Sequence, residues 1–203
     1  LSYTLNYIDW EHLENNRFQF VCEYKVEKQR EGVDTQSFED RPIEDEAFET
    51  AQESPADPKH AIPDIVLFVN GIPLGVIECK HSSVHIDNAI SQMIRNQSAD
   101  YIPQLFRYTQ ILLAVNRTQA QYATAGTSKK FWSVWKEQDT VFLSQNLEQA
   151  VRDREPTQQD KVLISLFHPT RLLEIMRFFI LFDTNVKKIA RYQQYFAVKA
   201  ILE

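Results

Sequence analysis

The stretch that most limits how this chain can fold is residues 63–80, PDIVLFVNGIPLGVIECK. Two apolar runs flank an Asn-Gly pair, the strongest short-range signal for a β-hairpin, because both residues tolerate the left-handed backbone of a tight turn. The apolar middle reads as a core scaffold. Its open end does not: Asp64 begins the first run, and Glu78 and Lys80 end the second. A core hairpin has no structural need for three ionisable groups there.

Register decides whether those groups can meet. Side chains alternate along a strand with period two, so Glu78 and Lys80 share a face while Cys79 points the other way. A plain two-residue turn at Asn70-Gly71 pairs Val69 with Ile72 and sets Asp64 opposite Ile77. That sends Asp64 and Glu78 to opposite faces. A single site therefore demands a loop of odd length or a bulge, with Gly71 available for a left-handed position. On this reading the turn is not a simple two-residue one.

The rest of the chain supplies elements for a mixed sheet. Residues 1–16 place Leu1, Leu5, Ile8 and His12 or Leu13 at helical spacing and read as a helix that stops near Asn15-Asn16, and residues 17–27 alternate like a strand through Phe18, Phe20, Cys22 and Tyr24. Residues 28–60 are acidic and contain a candidate short helix near 43–51; they read as an insertion. Residues 86–97 form an amphipathic helix with Ile86, Ala89, Ile90 and Met93 on one stripe and Asn88, Gln92, Arg95 and Asn96 on the other. Residues 110–116 read as a buried strand with 119–126 as its partner. Ser128 reads as the cap of a helix over 129–137. Helices follow at 143–152, 170–180 and 186–202, and 162–167 reads as a short strand. The fold class is α/β (α+β), with a mixed central sheet flanked by helices.

Composition narrows the function. With 22 basic and 28 acidic residues the formal charge is −6, which argues against a free-standing nucleic-acid binder held by bulk electrostatics. No run approaches the ~18 apolar residues of a membrane span. Two cysteines, Cys22 and Cys79, make no disulfide framework. These features lead to the expectation of a cytoplasmic protein without membrane contact. The five histidines show no convincing zinc-ligand spacing. Trp132 and Trp135, among lysines, could flank nucleic acid, though such aromatics more often pack into a core.

Acid-x-Lys occurs at Glu23-Tyr24-Lys25, Asp57-Pro58-Lys59 and Glu78-Cys79-Lys80. Only the third ends a strand paired with one that begins at an acid. Phosphodiester hydrolysis needs a hard cation, and Mg²⁺ prefers carboxylate and carbonyl oxygens. Asp64, Glu78 and the carbonyl of Cys79 offer such oxygens, Lys80 could orient or activate a water, and Gln92 could follow from the next helix. The plainer alternative is a solvated hairpin end with a loose ion pair worth ~0–1 kcal/mol.

Residues 63–80 resemble the N-terminal nuclease domain of the R subunit of type I restriction-modification enzymes, a branch of the PD-(D/E)xK nucleases. The resemblance continues through residues 89–97, 102–116, 122–127, 131–137, 162–183 and 187–202. It implies a restriction-endonuclease-like core over 1–160, with 28–60 inserted, and a helical segment over 161–203 leading toward a helicase-like ATPase motor. It implies Asp64 and Glu78 as metal-binding carboxylates and Lys80 as the catalytic lysine. A Gln-x-x-x-Tyr motif of many relatives falls either at Gln92, with Asn96 at the tyrosine position, or at Gln97 and Tyr101. Glu11 or Glu14 matches a glutamate that some relatives recruit from the first helix. Residues 191–194 resemble a segment whose glutamine, here Gln193, can contact adenine. The implied cofactors are Mg²⁺ and, for the full-length subunit, ATP. The implied partners are duplex DNA and the methyltransferase and specificity subunits. A non-catalytic docking module and an autonomous repair or junction-resolving nuclease are the competing expectations.

Overall fold

The computed structural model describes residues 6–29, 59–152 and 154–202; the helix expected near 43–51 lies outside them. The hairpin stands at the centre. Strands β1 (Phe18–Cys22), β4 (Ile65–Val69), β5 (Ile72–Cys79), β6 (Ile111–Val115) and β7 (Ala120–Ala123) form one sheet in the order β1-β4-β5-β6-β7. Neighbours run antiparallel except β5 and β6, which are parallel. A parallel pair needs a crossover, and helix α1 (Ile86–Arg95) provides it. A separate two-stranded pair, β2 (Val26–Glu27) with β3 (His60–Ala61), brings together the two ends of the acidic insertion.

The sheet carries a core on each face. On one, Ile86, Ala89, Ile90 and Met93 of α1 pack against Val66, Val76, Leu112 and Ala114, with the short helix α2 (Pro103–Phe106) beside them. Burying each large α1 side chain contributes about 1.5–3 kcal/mol. On the other face, α4 (Gln158–Phe167), α5 (Pro169–Phe178) and α6 (Tyr192–Leu202) pack Val162, Leu166, Leu172 and Tyr195 against Ile77, Leu113 and Tyr122. Helix α3 (Thr140–Ala150) packs on α4. The boundary expected at 160/161 thus falls inside α4, and the segment beyond it shares a core with the sheet.

The hairpin turn is a two-residue turn after all: Val69 pairs with Ile72, and Asn70 and Gly71 take φ of 52° and 83°. The expectation of a longer loop is corrected. The bulge alternative holds, displaced into β5. Phe68 pairs with Pro73 but Leu67 with Gly75, so Leu74 is the extra residue. Parity follows it: Ile72 and Leu74 face the α4/α5 core, whereas Val76 faces the α1 core. Beyond Leu74, Gly75 lies so close to Phe167 that an added Cβ would sit 2.8 Å from its ring.

Four further expectations are corrected. Residues 6–16 contain only a 3₁₀ turn, Leu13–Asn15. Asp9 Oδ1 accepts the N–H groups of Glu11 and His12 at 3.1 and 2.9 Å, and Asn16 Nδ2 donates to the Asp9 carbonyl at 2.7 Å. Such local side-chain bonds replace a helix ladder. Residues 162–167 are helical because Thr157 and Asp160 form a capping box just ahead of them. Residues 129–137 are a 3₁₀ turn followed by extended chain, and the Ser128 side chain makes no cap. Ser133 exchanges two hydrogen bonds with Tyr122 at the sheet edge, so Trp132 enters the α1 core and Trp135 the opposite one. Both tryptophans are buried packing groups. Finally, the helix expected over 186–202 begins only at Tyr192. Before it, β8 (Ile180–Asp183) and β9 (Val186–Ile189) form a hairpin turned at Thr184-Asn185, both at positive φ. No helix among the described residues is long and apolar enough to cross a membrane.

Candidate active site

One strand step beyond Ile65 and Ile77 the shifted register sets Asp64 across from Glu78. Glu78 continues the parity of Val76 and so lies on the α1 face, beside Ala114 of β6. Cys79 packs on the opposite face, as its position in the alternation requires.

The Glu78 side chain is 0% exposed. Its Oε1 accepts from Lys80 Nζ at 3.2 Å, while Oε2 is buried and has no hydrogen-bond partner. Asp64 Oδ2 accepts the Cys79 N–H at 2.6 Å, which pins this carboxylate across the end of the hairpin. Burial pushes the Glu78 carboxyl up to about 8, the negative charge of Asp64 adds to the rise, and Lys80 opposes it. Without a cation, Glu78 therefore keeps its proton near neutral pH, because burial and the neighbouring negative charge both disfavour its ionised form.

The helix that follows β5, α1, supplies the fourth group. Gln92 Oε1 accepts from Lys80 Nζ at 2.5 Å. Lys80 therefore bridges Glu78 on the strand and Gln92 on α1. Gln97 is used elsewhere: its Oε1 accepts the Gly126 N–H at 2.8 Å and its Nε2 donates to the Met93 carbonyl at 3.0 Å. The Tyr101 ring lies under Lys28 and Arg95. Glu11 and Glu14 are exposed, and the described residues around them form only the 3₁₀ turn Leu13–Asn15. Gln193 is exposed on the first turn of α6.

These groups fit a hard cation in kind. Two carboxylates on one face, one of them with an orphaned buried oxygen, form an all-oxygen donor set that a divalent ion would satisfy while relieving the repulsion. Among the described residues no group of three or more His, Cys, Asp or Glu side chains could hold a metal. The set suits an ion that keeps several waters, as Mg²⁺ does, rather than a closed structural site.

Comparison with known proteins gives the family. Residues 2–131 match the family described as type I restriction enzyme R protein N terminus. The chain belongs to this family. Over 97% of its length it is 27% identical to the putative type I restriction enzyme MjaVIIP endonuclease subunit of Methanocaldococcus jannaschii. Over the same share it is 28% identical to the type I restriction enzyme HindI endonuclease subunit of Haemophilus influenzae. The match covers 16% of each of those two proteins.

A residue that sequence reasoning passed over also stands at this end of the R-subunit domain. Asn116, just past β6, is 3% exposed and hydrogen-bonded through both the nitrogen and the oxygen of its side-chain amide. Its only signal was an Asn closing an apolar strand, a pattern that reads simply as a turn.

Proposed function

We propose that this chain is the endonuclease domain of a type I restriction enzyme R subunit. It would hydrolyse phosphodiester bonds of duplex DNA after ATP-driven translocation by a motor elsewhere on the polypeptide. The observation that carries the reading is the convergence of Asp64, Glu78, Lys80 and Gln92 at one end of the sheet. Family membership and the naming of both relatives as endonuclease subunits support it.

Asp64, Glu78 and the Cys79 carbonyl are the groups that would hold Mg²⁺. When bound, the ion would neutralise charge on the scissile phosphate and acidify a coordinated water. Lys80 places a positive charge beside the carboxylates, where it can hold the attacking water or meet charge developing on the phosphate. Gln92 accepts a hydrogen bond from Lys80 and keeps that ammonium aimed at the site. Burial of Glu78 strengthens its interactions with Lys80 and with a bound cation, while Asp64, Lys80 and Gln92 stay partly open to solvent and substrate.

The net charge of −6 suits a domain that receives DNA from a motor instead of finding it unaided. Target recognition and methylation would then belong to specificity and methyltransferase subunits in a cytoplasmic complex. Gln193 would contact adenine of ATP held by the motor.

The test is plasmid cleavage by the assembled enzyme with ATP and Mg²⁺, comparing wild type with Asp64→Ala and Lys80→Ala. Each variant should lose about 100-fold or more in cleavage rate while complex assembly and ATP hydrolysis persist. Equal cleavage by all three would make this domain a docking module.

A further inference from the structure

We infer that Asn116 is a positioning residue for the nuclease site: its side-chain amide clamps the loop that joins Lys80 to α1 and so holds Lys80 against Gln92. The inference rests on the nuclease reading above.

Lys80 and Gln92 belong to different elements, and residues 81–85 are the only covalent link between them before α1 begins. The strand side of that link is held by the backbone, since the Lys80 N–H donates to the Val115 carbonyl at 2.9 Å. The loop itself has one internal backbone bond, Val84 N–H to the His81 carbonyl at 2.9 Å, and most of it is exposed. Asn116 grips it from the neighbouring strand. Its Nδ2 donates to the Val84 carbonyl at 3.1 Å. Its Oδ1 accepts the N–H groups of Thr118 at 3.0 Å and Gln119 at 2.7 Å, and the Thr118 hydroxyl at 3.2 Å.

The two ends of this side chain therefore do different work. The oxygen builds the turn from β6 to β7, an ordinary structural task for Asn. The nitrogen reaches across to the loop ahead of α1. Extending the parallel register one step beyond Cys79 and Val115 sets Asn116 beside Lys80 itself. A clamp at that level limits how far α1, and Gln92 with it, can drift from the Lys80 ammonium. Catalytic geometry is sensitive to such drift: a misplacement of about 1 Å can cost on the order of 100-fold.

Asn116→Asp separates the two tasks, because a carboxylate still accepts at the turn but cannot donate to Val84. In the assembled enzyme with full-length subunit, plasmid DNA, ATP and Mg²⁺, its cleavage rate on bound DNA should fall about tenfold or more. The Mg²⁺ concentration for half-maximal cleavage and the DNA affinity should stay within about twofold of wild type, since Asp64 and Glu78 lie on strands outside the clamp. The unfolding midpoint should fall only modestly, by what one lost buried hydrogen bond and one added carboxylate account for, with the protein still fully folded at the assay temperature. Asn116→Ser, too short to reach Val84 yet able to accept at the turn, should behave alike and replaces the first variant if that one fails to fold. Thr118→Val removes a bond on the turn side only and should cut at close to the wild-type rate. Wild-type cleavage by both Asn116 variants would overturn the clamp, as would an equal loss in Thr118→Val or a loss accompanied by a shifted Mg²⁺ requirement. Lys80→Ala run in parallel keeps the two readings apart: if it cuts like wild type, the nuclease reading itself falls and takes the clamp with it.

Discussion

Glu78 carries the sharpest energetic tension in the molecule, a carboxyl with no exposed surface, one oxygen unpartnered and a second carboxylate across from it. Its value of about 8 in the fold lies above the ordinary 4.5, so the native chain keeps a proton that the unfolded chain gives up. In metal-free buffer the domain should therefore lose stability as pH rises from about 4.5 to about 8, by an amount on the order of a few kcal/mol, and change little beyond. Denaturant unfolding in chelator across that range checks this. Glu78→Gln should flatten the dependence and make the metal-free domain more stable at pH 8. Which residues meet at the site was largely legible at this scale. Acid-x-Lys at the end of an apolar strand, paired with a strand beginning at Asp64, pointed to these groups, and the helical spacing pointed to Gln92. Asn116 was not legible, because nothing in its neighbourhood distinguishes a clamp from a turn.

The bulge at Leu74 is the element-level decision on which the site depends. An Asn-Gly turn with plain pairing sends Glu78 and Lys80 to the α4/α5 face; one extra residue returns them to the α1 face beside Asp64. Deleting Leu74 should abolish cleavage by the assembled enzyme. Leu74→Ala keeps the residue count and should retain cleavage while costing about 2–5 kcal/mol in unfolding free energy, since Leu74 is 4% exposed. Cleavage by the deletion variant at the wild-type rate would mean that the carboxylates need not share a face. The sequence required that some irregularity exist but not where, because a bulge is chosen by what packs on each face and the pattern around Pro73-Leu74-Gly75 is uniformly apolar or small. The same limit explains the misplaced elements. The apolar run 162–167 has no period of its own, and the helix cap that decides it lies outside the run. The spacing of Trp132 and Trp135 fits a helix, yet an extended chain places them in two different cores.

At the scale of the whole molecule, the sheet separates two layers with different tasks. The α1 layer carries the candidate site, and the opposite layer ties the C-terminal segment to the sheet. Arg171 is central to that second layer. It pairs with Glu137 at 3.3 Å with both side chains nearly buried, and its guanidinium lies 4.5 Å from the Phe142 ring centre and 4.8 Å from that of Tyr195. Arg171→Ala should cost about 3–5 kcal/mol, as breaking a buried pair usually does, read as a lowered denaturant midpoint. A loss below about 1 kcal/mol would mean that the pair behaves like a surface one.

Fold class, the central hairpin, the amphipathic face of α1, the buried β6 and the identity of the acid-acid-lysine group were determined by the sequence itself. Each is written in local periodicity or in residues whose chemistry has few other uses. The tertiary structure alone decided the position of the bulge, the path of residues 129–137, the β8–β9 hairpin and the clamp of Asn116. Those depend on which face of the sheet a neighbour covers and on which backbone carbonyl lies within reach, and such contacts exist only once distant segments have packed.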